Sequence, residues 1–112
     1  MDKRPIDQKL QSLVGVRIIR FSGGEGALAF FFENGSVLTI YAPFRISSIG
    51  ASDLDPSQVV GRSLEGVACS TARVLMEIEN QIRLEIDLDV RKMTGPEHLQ
   101  LRSQSGEITI WS

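Results

Sequence analysis

One cysteine, one histidine, one tyrosine and one tryptophan are all that these residue types contribute to a chain of 112 residues. Cys69 has no mate, which excludes an internal disulfide framework and points to a reducing compartment, so the cytoplasm is the expected location. With His98 as the lone histidine no multi-histidine metal site can assemble, and one thiol cannot build a thiolate-rich zinc site. No metal and no cofactor are expected. Cationic excess is missing too: the net charge is -2, where a nucleic-acid or anionic-membrane binder would carry a basic stripe, and a cationic protein partner suits the chain better. The longest apolar run, Ala27 to Phe32, falls far short of the roughly 20 residues that span a bilayer. The charged start, Met1-Asp2-Lys3-Arg4-Pro5, is followed by no apolar stretch of the secretion-signal kind. The expectation is one domain over residues 1–112, long enough to bury about two-thirds of its unfolded surface.

What the sequence does hold is a strand-turn-strand pattern written twice, 46 residues apart. Val14-Gly15 returns as Val60-Gly61, Glu33-Asn34 as Glu79-Asn80, and Leu38 and Ile40 as Leu84 and Ile86. Apolar character recurs at Ile18/Leu64, Phe21/Val67, Leu28/Val74, Phe30/Met76 and Phe32/Ile78, so buried positions repeat where identity does not. Residues 14–49 form copy one, 50–60 a linker and 60–90 copy two.

Ile6, Leu10 and Leu13 fall at i, i+4 and i+7 after Pro5, which predicts a short amphipathic helix over residues 6–13. In copy one, Ser22-Gly23-Gly24-Glu25-Gly26 is a turn signal without the Lys-Ser/Thr of a phosphate loop. Asn34-Gly35 between two apolar strands predicts a type I′ hairpin turn with positive φ at both residues. The matching Asn80-Gln81 is more strained, because glutamine tolerates positive φ poorly. Pro43 breaks the ladder and makes Phe44 to Ile49 an edge strand, and Asp55-Pro56-Ser57-Gln58 reads as one capped helical turn in the linker. Met93-Thr94-Gly95-Pro96 punctuates the chain before a third hairpin over residues 98–111, turned at Gln104-Ser105-Gly106, with His98 at its start and Trp111 closing one end of the core. The fold class is mainly β: an antiparallel curved sheet or a sandwich built on the duplicated unit, with the short helix plugging one side.

In copy two, Met76, Ile78, Ile82, Leu84, Ile86, Leu88 and Val90 alternate with Glu77, Glu79, Arg83, Glu85, Asp87 and Asp89, the period of a sheet with one wet side. Five carboxylates against one arginine predict a negative patch that either serves solubility or steers a basic protein toward it. The same parity in copy one places Phe31, Val37, Thr39 and Tyr41 on a dry face. That stripe requires a cover: the N-terminal helix, a strand of the third hairpin, or another chain. Glu77 with Glu79, or Asp87 with Asp89, stand about 7 Å apart along one strand, a spacing a glycosidase could use. No cleft of aromatic sugar platforms accompanies them, and no enzyme is expected. Cys69, alternating with Val67, reads as a small core residue.

Leu13-Val14-Gly15-Val16, Phe32-Glu33-Asn34-Gly35-Ser36, Ala42-Pro43-Phe44-Arg45, Asp55-Pro56, Val60-Gly61-Arg62, and Glu97-His98-Leu99-Gln100-Leu101 through Ile110-Trp111 follow one order. Over about residues 13–112 that order resembles a family of small bacterial proteins of unknown function that look like immunity proteins of polymorphic-toxin and contact-dependent growth-inhibition systems. The resemblance implies a cytoplasmic inhibitor that binds the toxic C-terminal domain of a cognate effector stoichiometrically, without catalysis, and internal cover of the apolar stripe favours a monomer over a homodimer. Joined to the face reading, it makes Glu77, Glu79, Glu85, Asp87 and Asp89 the candidate partner contacts, mimicking phosphate toward a cationic nuclease domain. The alternative is a self-associating structural or accessory β module that uses Phe31, Val37 and Tyr41. A small-ligand binder would require an internal cavity.

Overall fold

The computed structural model describes residues 9–24, 27–50, 54–70, 73–88 and 99–111, with the side chains of the last two left aside. Ile6, Asp89, Val90, the 93–96 punctuation and His98 lie outside these residues, as does the side chain of Trp111, so the roles expected of them are not addressed. The fold is mainly β. Strands β1 (Ile18–Gly24), β2 (Ala27–Phe32), β3 (Val37–Ile40), β4 (Phe44–Ser48), β5 (Leu64–Cys69), β6 (Arg73–Ile78), β7 (Ile82–Asp87), β8 (Leu99–Arg102) and β9 (Ile108–Trp111) form two antiparallel sheets. One has the order β1-β2-β3-β8-β9, the other β4-β7-β6-β5.

Alternation along the strands decides which faces meet. Leu28, Phe30 and Phe32 of β2, Leu38 and Ile40 of β3, Val74, Met76 and Ile78 of β6, and Ile82, Leu84 and Ile86 of β7 are all buried in one apolar cluster. Cys69 is half-buried against that cluster, as its alternation with Val67 predicts.

Pairing in the two hairpin sets keeps the same register at a constant offset. Ile18 faces Phe32 and Phe30 faces Leu38; 46 residues on, Leu64 faces Ile78 and Met76 faces Leu84. Each first pairing is broken at the matching place, between Ile18 and Arg20 and between Leu64 and Gly66. After its third strand each half then crosses to the other sheet. β4 pairs with β7, and β8 pairs with β3. The start of β1 also bonds to the start of β5: Gly15 N donates to Leu64 O at 2.7 Å and Gly61 N to Ile18 O at 2.7 Å. Both glycines have positive φ, +87° and +88°, a region that disfavours any side chain.

The two hairpin turns differ. At the first, only Gly35 has positive φ, which corrects the type I′ expectation. Gly35 N donates to Phe32 O and Phe32 N to Ser36 O, both at 2.9 Å, while the Asn34 side chain accepts from Ser36 N. This is a three-residue loop with glycine at its left-handed position. At the second turn, Asn80 and Gln81 both have positive φ, at 66° and 62°.

Residues 9–11 form the described part of the N-terminal helix, and Leu10 and Leu13 are 0% exposed. Gln11 Nε2 donates to Val67 O at 2.6 Å and Lys9 pairs with Glu107, so the helix bridges the edge strand β5 and the residue before β9. Linker residues Pro56–Val59 form a single 3-10 turn whose cap, Asp55, accepts from Ser57 N at 2.9 Å. Among the described residues, no helix is long and apolar enough to cross a membrane.

Candidate protein-binding face

The outer face of β4-β7-β6-β5 gathers most of the carboxylates singled out in the sequence. Registers set its side chains in rows. Arg73 stands opposite Asp87, Arg45 opposite Glu85, and Arg83 opposite Glu77. Arg73 Nη1 also reaches diagonally to Glu85 Oε2 at 3.1 Å. Each of these rows holds one cation and one anion, while exposed Glu65 stands beside Glu77 and Arg83 at the β5 edge. Among the described residues the expected negative face is thus diluted and not cancelled: Arg73 enters at the start of β6 and Arg45 arrives from β4, a neighbour that only the strand order reveals. Opposite charges across strands contribute roughly 0.2–1 kcal/mol per pair and order the side chains more than they attract from a distance.

Glu77, Glu85 and Asp87 therefore share the face, with Glu77 exposed and the other two half-buried. Glu79 does not join them. Its carboxylate accepts from Ser63 N and its own amide donates to Ser63 O at 3.1 Å, which ties it to the entrance of β5. Asp89 lies outside the described residues. Beside the rows, Pro43, Phe44, Arg45, Arg73, Glu85 and Asp87 line an open cleft of ≈ 400 Å³.

The face carrying Phe31 and Val37 belongs to the other sheet. Its registers align Arg20, Phe31, Val37, Arg102 and Ile108 in one row, and Ala29, Thr39 and Gln100 in the next. The Arg20 guanidinium carbon stands 4.0 Å from the centre of the Phe31 ring, a cation–π contact that shields the ring. Phe31, Val37, Thr39 and Tyr41 are half-buried rather than dry. Among the described residues, neither internal cover foreseen for this stripe bonds across it. The helix bonds toward β5 and Glu107, and the third hairpin extends the same sheet beside β3. Arginine stems do part of the covering instead.

Among the described residues, no three of His, Cys, Asp and Glu are grouped so as to hold a metal ion. Comparison with protein-family models, with curated proteins and with solved structures finds no match for the chain.

Proposed function

We propose that the chain is an immunity protein that neutralises the toxic C-terminal domain of a cognate bacterial effector in the cytoplasm by one-to-one binding, and that the outer face of β4-β7-β6-β5 makes the contact. The resemblance over residues 13–112 supplies the class of partner. The observation that carries the choice of face is the set of crossed pairs Arg73/Asp87, Arg45/Glu85 and Arg83/Glu77 on paired strands. Such a lattice of alternating charge recognises a partner by pattern. A cognate surface meets each charge with its opposite, and a non-cognate one meets like charges at a cost of several kcal/mol.

Interleaved arginines moderate the mechanism that the sequence suggests. Phosphate mimicry toward a cationic nuclease loses much of its drive, since Arg45, Arg73 and Arg83 stand among the carboxylates. Association then falls in the ordinary range of about 10⁵–10⁶ M⁻¹s⁻¹ with weak dependence on salt.

The decisive experiment is co-expression with the toxic domain encoded by the neighbouring upstream reading frame. Rescue of growth and co-purification at one to one support the reading. Glu85→Lys with Asp87→Lys should abolish both while the circular dichroism spectrum stays unchanged. Full protection by that folded variant removes this face, and failure to rescue or bind removes the immunity reading.

Self-association through Phe31, Val37 and Tyr41 is the weaker reading. Two copies stacked on that face would gather Arg20 and Arg102 of both into one seam, with no carboxylate in the row to offset them. Sedimentation should show a monomer unaffected by Tyr41→Asp, and a dimer that this change dissociates would reverse the preference.

A further inference from the structure

We propose that the mouth between the end of the β1-β2 hairpin and the start of β4 is a docking site for one apolar helical turn of a protein partner. Phe21, Leu28, Ile40, Tyr41, Phe44 and Pro56 are among the residues that line it, around a volume of ≈ 620 Å³ open to solvent. The lining is mainly carbon, and Tyr41 is among it.

The other half of the fold shows what occupant suits this place. Its matching positions are Val67 for Phe21, Val74 for Leu28 and Ile86 for Ile40, by the shared registers. The partner of Ile40 across the ladder is Leu99, and the partner of Ile86 is Phe44, so Leu99 and Phe44 also correspond. Leu99 is 0% exposed, whereas Phe44 is 41% exposed. What differs is the segment that precedes each half. The helical turn before β1 carries Leu10 and Leu13, both fully buried, and Gln11 fastens it to Val67 O. Before β5 the matching positions are Pro56 and Val59, on a 3-10 turn of only four residues. Val59 is fully buried like Leu13, but Pro56 is half-buried where Leu10 is fully enclosed. A proline has neither the reach nor the branching of leucine. Among the described residues, the first half therefore leaves open a place that the second half closes with a leucine-bearing helical turn.

The proposal rests on reading the chain as a protein-binding module, and not on the charged face. Its probe is a stapled peptide with the sequence of residues 5–14 of this chain, added to the full-length ¹⁵N-labelled protein. Amide shifts should move and saturate at Phe21, Leu28, Ile40 and Tyr41, which do not line the cleft of the charged face, and Phe44→Asp should weaken binding by about tenfold or more. Shifts confined to the β5 side or to the charged face, or none up to the solubility limit of the peptide, overturn the proposal. Mapping on the unaltered protein keeps the test decisive should Phe44→Asp unfold. A peptide that binds the mouth of a protein unable to neutralise the toxin would sink the immunity reading alone. Neutralisation with no response of the mouth to peptide would sink this inference alone.

Discussion

Gly15 donates its amide to the carbonyl of Leu64 at 2.7 Å, across the corner where the first strand of one half meets the first strand of the other. The return bond, Gly61 to Ile18, has the same length. Each amide is aimed by a backbone turn that only glycine adopts without strain.

Alanine at either glycine should therefore destabilise by about 1–2 kcal/mol, and by similar amounts at the two sites. Nothing lies within 4 Å of a Cβ built at either position, so the cost is backbone strain and not a clash. Urea denaturation of Gly15→Ala, Gly61→Ala and the double variant measures it. A midpoint unmoved in either single variant would contradict the strain.

Gln81 holds a left-handed φ of 62° with a side chain that gains nothing from it. Gln81→Gly should raise stability by about 0.5–1 kcal/mol, the relief of strain less the extra freedom glycine brings to the unfolded chain. The reverse experiment belongs at Gly35, where a Cβ would stand 2.9 Å from Gln104 Cβ on top of a φ of +91°. Gly35→Ala should destabilise more than Gly15→Ala, as read from thermal midpoints.

The Arg73–Glu85 pair joins two half-solvated side chains, so a double-mutant cycle with alanine should return a coupling of only about 0.2–1 kcal/mol, shrinking as salt is added. A coupling well above that range, insensitive to salt, would mean that the lattice of charges is part of the core and not a surface free to bind.

Two carboxyls are held below their ordinary range. The backbone amide and then the hydroxyl of Ser57 lower Asp55 from 3.8, and the hydrogen bond from Lys9, with its charge, lowers Glu107 from 4.5. A lowered folded-state value means that the ionised group stabilises the fold above its unfolded pKa and loses that effect as pH falls through the folded value. Glu107→Gln and Asp55→Asn should thus be less stable than the parent at neutral pH, with the gap closing below about pH 4. Parallel thermal midpoints down to pH 2.5 would contradict this.

Much of the local structure was legible because its causes are local. Asn34-Gly35 marks a hairpin turn; alternation marks which side of β6 and β7 is buried; Asp55-Pro56 marks a capped turn. Leu10 and Leu13 reveal themselves by helical spacing. Even Arg73 could have been placed on the charged face by extending the parity of β6 one turn of the pleat toward its start.

Strand order has no such local sign. That β4 leaves its own half to lie against β7, and β8 to lie against β3, follows from which crossing buries both apolar faces at once, a property of the packed whole. Arg45 stands opposite Glu85 only through that crossing, and so the charge pattern of the face was decided there. The sequence by itself determined where the hairpins turn and which parity is buried, though not the type of the first turn, since these depend on backbone freedom and on side chains a few residues apart. Tertiary structure alone decided which charges meet, where the helix bonds and which mouth stays open, because those depend on contacts between segments far apart in the chain.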